Sequence, residues 1–198
     1  MSANVWFEQV DRGLMNEIRS CVKYLNKSGV PTALNTNQII VRKPEEDFKI
    51  ETYPCVSIYN VGYYHDPIRY NPEPVVVSKD LENHVVTLED SAVSFNLEYQ
   101  LDFWAKYQTD MNEMTKTWLT KHFRQFNLSV EDDGGVLRSC NCLIQGSVVK
   151  SDLVEGKERI FHSIIKYSIW VELDGENRYN KYIVAEREID ANEKEKEV

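Results

Sequence analysis

From Asn96 to Phe103 apolar and polar residues alternate without a break, and Trp104 follows. Leu97, Tyr99, Leu101 and Phe103 fall on one face, and Asn96, Glu98, Gln100 and Asp102 on the other. A period of two is the signature of a strand with one buried face, the kind found in antiparallel sheets. The period then changes. Met111, Met114, Trp118, Leu119, His122, Phe123 and Phe126 recur at three- and four-residue steps, which predicts a helix capped at Thr109 or Asp110 and ending near Phe126. Residues 94–126 therefore read as a strand running into an amphipathic helix whose stripe must pack on a sheet or on another helix.

The flanking sequence supplies partners for that stripe. Trp6, Val10, Leu14, Ile18, Val22 and Leu25 keep helical spacing and predict a first helix over 4–27, capped by Ser2 or Asn4 and stopped by Gly29 and Pro31. Strands are expected at 38–42, 53–60 and 83–90, separated by a polar connection over 44–49 and a long loop over about 61–80. That loop holds Pro67, Pro72 and Pro74, which exclude a central strand or helix around them. After a turn at Glu131–Gly135, two long strands are expected at 137–149 and 159–173, joined around Gly156. In the second, the odd-numbered series Phe161, Ser163, Ile165, Tyr167, Ile169 and Val171 is the more apolar and should face the core. A final strand or arm over 179–189 follows. The predicted fold is α+β: a mainly antiparallel sheet with an N-terminal and a central helix packed on one face. One domain over 1–190 and a charged tail over 191–198, expected to lack order of its own, account for the chain.

Chemistry is sparse. No glycine-rich phosphate loop, GxSxG elbow or HExxH pair occurs, and His65, His84, His122 and His162 are widely spread. Cys140-Asn141-Cys142 lacks the spacing and second ligand pair of a zinc site, so Cys21, Cys55, Cys140 and Cys142 are expected to be free, buried thiols. The acidic turn at 131–135 lacks the ligand pattern of an EF-hand. No catalytic, cofactor or metal residues are assigned and no enzyme activity is expected. A net charge of −9 with scattered basic residues argues against sequence-specific nucleic-acid binding. No run reaches the ~18 apolar residues of a membrane span, and no secretory signal is visible at the start.

The stretch Leu97-Glu98-Tyr99-Gln100-Leu101-Asp102-Phe103-Trp104-Ala105-Lys106-Tyr107, with Asp110 opening the helix, resembles the centre of tail terminator (tail completion) proteins of tailed bacteriophages. Leu14, Ile18 and Val22 of the first helix, the strand Tyr53-Pro54-Cys55-Val56-Ser57-Ile58-Tyr59, and the closing β-meander fit the same family. The likeness runs over roughly residues 5–173 in element order and is carried by these short stretches. It implies a virion protein of the tail or neck, assembled in the host cytoplasm, that forms a homo-oligomeric ring, typically a hexamer. Its partners would be the tail tube protein and, beyond it, the sheath and the neck connector. The long loop and the charged tail depart from the family pattern, which leaves open another neck or baseplate ring. The loop itself has two readings. Either it folds back on its own core, or Tyr63, Tyr64, Arg69 and Tyr70 form a protein interface, since tyrosine and arginine are favoured there. The polar strand face, Glu98, Gln100 and Asp102, is expected to be exposed and to meet a neighbouring subunit. The competing functions are an adaptor that grips another protein with the loop, and an unrecognised hydrolase.

Overall fold

The computed structural model describes residues 5–42, 50–80, 82–145, 149–155, 158–173 and 178–182. The order is α1 (Phe7–Cys21), β1 (Lys23–Leu25), β2 (Pro31–Ala33), β3 (Ile39–Arg42), β4 (Cys55–His65), β5 (Val75–Asp80), β6 (Val85–Glu89), β7 (Val93–Ala105), α2 (Gln108–His122), β8 (Gln125–Glu131), β9 (Leu137–Ile144), β10 (Val149–Glu155), β11 (Glu158–Leu173) and β12 (Arg178–Tyr182).

Seven strands form the main sheet in the order β3-β4-β7-β11-β9-β8, with β10 also on β11. β7 lies at its centre. It pairs antiparallel with β4 on one side and along its whole length with β11 on the other. β3 joins the edge of β4 in parallel, and the remaining pairings in this sheet are antiparallel. A separate three-stranded sheet has the order β12-β6-β5, and β1 pairs with β2.

The alternation read in β7 produces the core. Leu97, Tyr99, Leu101 and Phe103 are buried with Val56 and Ile58 of β4 and Ile165, Tyr167, Ile169 and Val171 of β11. Val10, Leu14 and Ile18 of α1 and Met111, Met114 and Trp118 of α2 join the same cluster. Both helices thus cover one face of the sheet, the α+β arrangement that the periodicity predicts. Gly13 lets α1 approach β8 closely. A Cβ there would stand 3.1 Å from both the Ser129 carbonyl oxygen and Val130 Cγ2, tighter than ordinary packing.

Both helices end sooner than their spacing suggests. α1 stops at Cys21, and the residues expected to continue it fold into the β1–β2 hairpin. Asn26 closes that hairpin: its Oδ1 accepts the backbone N–H groups of Ser28 (2.9 Å) and Val30 (3.0 Å), a local competitor to helix hydrogen bonds. Gly29 takes a left-handed φ of 71° in that turn, where glycine carries no steric penalty. α2 stops at His122. Arg124 adopts φ 77° and redirects the chain into β8, so Phe126 reaches the α2 cluster from a strand rather than from the helix. Its ring meets Trp118 at 5.8 Å and His122 at 4.3 Å. Tyr107, not Thr109 or Asp110, occupies the cap of α2.

Two further expectations change. The strand expected over 137–149 is two strands, because the edge of β11 is divided. β9 pairs with Tyr167–Ile169, and β10 takes the stretch from Glu158 to Ile164. The loop expected over 61–80 shrinks to 66–74, since β4 continues to His65 and β5 begins at Val75. The prolines forbid strand only where they stand, and Val75-Val76-Val77 follow the last of them. Ser2 and Asn4, the connection 44–49, Gly156, residues 183–189 and the charged tail lie outside the described residues. No described helix is long and apolar enough to cross a membrane.

Candidate assembly surface

The end of β4 carries the first group of expected interface residues. Its pairing with β7 shifts between Asn60 and Gly62, a bulge that inverts which residues face the helices. Tyr63 therefore stands opposite Leu97 on the helix side, and Tyr64 opposite Asn96 on the other side. Tyr63 packs edge-on to Trp6 (5.3 Å), Phe7 (5.7 Å) and Phe95 (6.1 Å), yet remains 57% exposed; Tyr64 is 46% exposed. His65 bridges Tyr70 (5.5 Å) and Phe95 (5.8 Å). Tyr63 and Tyr70 thus belong to one aromatic edge through Phe95 and His65, whereas Tyr64 lies on the other face of β4. The sequence supplies the residue types, and the bulge supplies their placement.

Arg69 serves this edge from behind. Its Nε donates to Asp66 Oδ2 (2.7 Å), and its Nη2 donates to the Phe95 carbonyl (2.9 Å) and Asn96 Oδ1 (3.1 Å). The guanidinium lies 4.9 Å from the centre of the Trp170 ring. Asp66 Oδ1 also accepts the Ile68 N–H (3.1 Å). This knot pins the turn after β4 and leaves Ile68 projecting at 94% exposure. Arg69, expected to contact a partner, uses Nε and Nη2 within the chain.

Hydrogen bonds from Arg69 first and Asn96 second hold the Asp66 carboxyl down to about 2, from an ordinary value of 3.8. A carboxyl lowered by folding lends stability that is complete above its unfolded value and is lost as pH falls through the folded one. Stability should therefore drop between about pH 4 and pH 2, and Asp66→Asn should flatten that part of the curve. Urea midpoints measured across this range check it; identical slopes for both proteins would contradict the knot.

The polar face of β7 departs from expectation. Asp102 is not exposed but completely buried. Arg42 Nη1 donates to its Oδ2 at 3.0 Å, and Gln100 Nε2 donates to Oδ1 at 2.8 Å. His162 Nε2 lies 3.0 Å from Oδ1. Ser57 Oγ is at 3.5 Å, and it accepts the Trp104 indole N–H at 3.3 Å. Trp104 stacks on His162 with ring centres 3.7 Å apart. Strand register assembles this set: Ser57 stands opposite Asp102 across β4 and β7, and Asp102 opposite Ile164, next to His162, across β7 and β11. Serine, histidine and aspartate meet here, but Ser57 and His162 both turn to the carboxylate. A nucleophile and its base must instead bond to each other. The arrangement neutralises and solvates a buried charge. Glu98 and Gln100 on the same row are only partly buried.

Sequence reasoning named Tyr63 and Tyr64 in this segment but missed its aliphatic part. Val61, Tyr63, Tyr64, Ile68, Val75, Val76 and Val77 are all exposed, so seven large apolar side chains lie between residues 61 and 77. Every residue of β5 is exposed while its neighbour β6 is half-buried. The valine triplet was the available signal, hidden by the proline-rich stretch before it. The four cysteines are free thiols, three of them buried and Cys21 partly so. Burial pushes Cys21 and Cys55 up to about 12 and Cys140 to about 11, far from the lowered values of thiol nucleophiles.

No protein-family model matches the chain, and no curated protein matches it. Among solved structures, the chain is similar to a sheath/tube terminator of an extracellular contractile injection system, PVC, determined by cryo-electron microscopy in the extended state. Identity is 13% and the TM-score 0.45. The match covers 88% of this chain and 58% of the other, so the chain spans less than two thirds of that protein's length.

Proposed function

We propose that this chain is a ring-forming structural subunit of a phage-type tail, a tail terminator that caps the tail tube and joins it to the neck connector. The observation that carries this reading is the concentration of exposed apolar side chains between residues 61 and 77. Exposed apolar surface gathered in one segment marks a contact with another protein, and the knot at Asp66 and Arg69 fixes the turn that carries Ile68 before any partner arrives. The strand-to-helix unit that resembles the family lies beside it, since Tyr63 and Tyr64 pair with Leu97 and Asn96 of β7.

A ring needs two different patches on each subunit, so that a head-to-tail contact repeats until it closes. The segment 61–77 serves as one. Val136 and Leu137, exposed at the turn between β8 and β9, serve as the second. Glu98 and Gln100 border the first patch, whereas Asp102 takes no part in contacts. The tube protein and, in a contractile tail, the sheath would meet the ring along its axis.

Native mass spectrometry and negative-stain microscopy of the full chain, alone and mixed with tail tubes, test the proposal. The expected result is a closed ring, of six subunits by the family resemblance, free or seated on tube ends. A monomer that also ignores tubes would sink it. The exposed β5 valines favour one other reading, an adaptor that takes up a single partner. That reading predicts a one-to-one complex and no self-association.

A further inference from the structure

Away from the assembly surface, two helices bring together the donors of a metal site. Glu17 and Cys21 stand one turn apart on α1 and therefore share a face; His122 is the last residue of α2. A Glu17 carboxylate oxygen, Cys21 Sγ and a His122 ring nitrogen all lie within 4.8 Å of one another. The imidazole is already oriented. Its Nδ1 lies 3.1 Å from the Trp118 carbonyl and its Nε2 2.8 Å from Glu17 Oε1; both neighbours are acceptors, so Nε2–H donates to the carboxylate until an ion takes the place of that proton. A backbone carbonyl on the far nitrogen is how proteins commonly aim a histidine ligand.

The field at this point favours a cation. α1 and α2 both end here, and the carbonyl end of each helix contributes partial negative charge. Lys121 already answers that field, with Nζ 2.7 Å from Glu17 Oε1. Its side chain is 54% exposed and has room to leave. A crevice of about 360 Å³ opens beside the thiol; Ser20, Cys21, Thr117 and Thr120 line it together with Glu113 and three lysines, Lys23, Lys116 and Lys121. It offers an entry path and a place for water.

We propose that Glu17, Cys21 and His122 bind a zinc-class divalent cation, with water as the fourth ligand. One oxygen, one sulfur and one nitrogen suit a borderline-soft tetrahedral ion, whereas calcium and magnesium take oxygen donors. Binding replaces the S–H bond of Cys21 with a metal–sulfur bond and releases that proton to solvent. The proton between His122 Nε2 and Glu17 likewise leaves that nitrogen, with Nδ1–H kept towards the Trp118 carbonyl, so that Nε2 donates its electron pair to the ion; Lys121 gives up the Glu17 carboxylate. Thiolate and carboxylate together balance the dication. Ligands about 2.0–2.3 Å from one tetrahedral ion stand roughly 3.3 Å or more apart, so the carboxylate retreats slightly from the imidazole as the ion enters. The filled site ties the last turn of α1 to that of α2. It acts as a structural clamp and does not depend on ring formation.

The test is a titration of the chelator-treated full chain with Co²⁺, followed by Zn²⁺. The expected signal is a thiolate-to-cobalt charge-transfer absorption that saturates at one ion per chain and disappears when Zn²⁺ displaces the cobalt. Cys21→Ser, with native circular dichroism, should abolish it, and His122→Gln should weaken binding at least as much as the roughly tenfold or more that loss of an outer-shell partner costs. Zn²⁺ should raise the thermal midpoint of the wild type but not of Glu17→Gln, which serves as a second variant if Cys21→Ser fails to fold. No saturable absorption at stoichiometric Co²⁺, or the same absorption in a folded Cys21→Ser protein, overturns the proposal and leaves the ring reading untouched.

Discussion

Trp118→Ala should remove about 4 kcal/mol of stability, at the upper end of what large-to-small core substitutions cost. Trp118 is the largest fully buried side chain, and it joins α2 to three strands. Its ring meets Phe103 of β7 at 6.4 Å, Phe126 of β8 at 5.8 Å and Tyr167 of β11 at 6.2 Å, with His122 of its own helix at 4.1 Å. Its indole N–H donates to the Tyr167 hydroxyl at 2.7 Å. Alanine leaves a cavity at that junction and strips the buried hydroxyl of its donor, so a transfer cost and a polar cost add. Trp118→Phe separates them. It keeps most of the volume and should cost only about 1–2 kcal/mol. Denaturant unfolding followed by circular dichroism measures both, and a loss below about 1 kcal/mol for the alanine variant would contradict this packing.

Asp102→Ala should cost about 3 kcal/mol or more, by a different route. Little apolar area disappears. What is lost is the carboxylate between the Arg42 guanidinium and the His162 imidazole, and removing one partner of a buried pair is far more damaging than replacing the whole set. Arg42 keeps 27% of its side chain exposed while Asp102 keeps none, so solvent reaches the cation but not the site of the missing anion. Asp102→Leu combined with His162→Leu should therefore recover part of the loss. Equilibrium unfolding of the single and double variants in one denaturant series decides the point. If the double variant were less stable than the sum of its singles, charge would not be the reason for the cost.

These two residues show how far the sequence could be read. Trp118 falls on a helical stripe, and its burial follows from spacing. The same is true of Leu97, Tyr99, Leu101 and Phe103, and of the odd-numbered series in β11. Asp102 sits on the polar row of the same strand, and nothing local distinguishes it from Glu98 or Gln100. Its partners arrive from β3 and β11, each 60 residues away, and only strand register shows that they meet. The helix ends were lost for a related reason. Val22, Leu25 and Phe126 keep helical spacing, but α1 ends with Val22 as its cap, Leu25 lies in the β1–β2 hairpin closed by the Asn26 turn, and a left-handed Arg124 carries Phe126 into β8. Residues 61–80 were misjudged because three prolines concealed the strand at Val75, and a bulge in β4 moved Tyr63 to the helix side. Glu17 and His122 are 105 residues apart, beyond any spacing rule for metal ligands.

The central claim is that residues 61–77 form a contact between subunits, and sedimentation velocity of a Tyr64→Asp, Ile68→Asp double variant beside the wild type tests it most directly. Both side chains are exposed, Ile68 at 94%, so their replacement should leave the thermal midpoint within about a degree or two, as surface changes usually do. The wild type, alone or on tail tubes, should sediment as a closed ring, and the variant as a folded monomer. A variant that assembles as well as the wild type, or a wild type that stays monomeric even with tubes, would contradict the account.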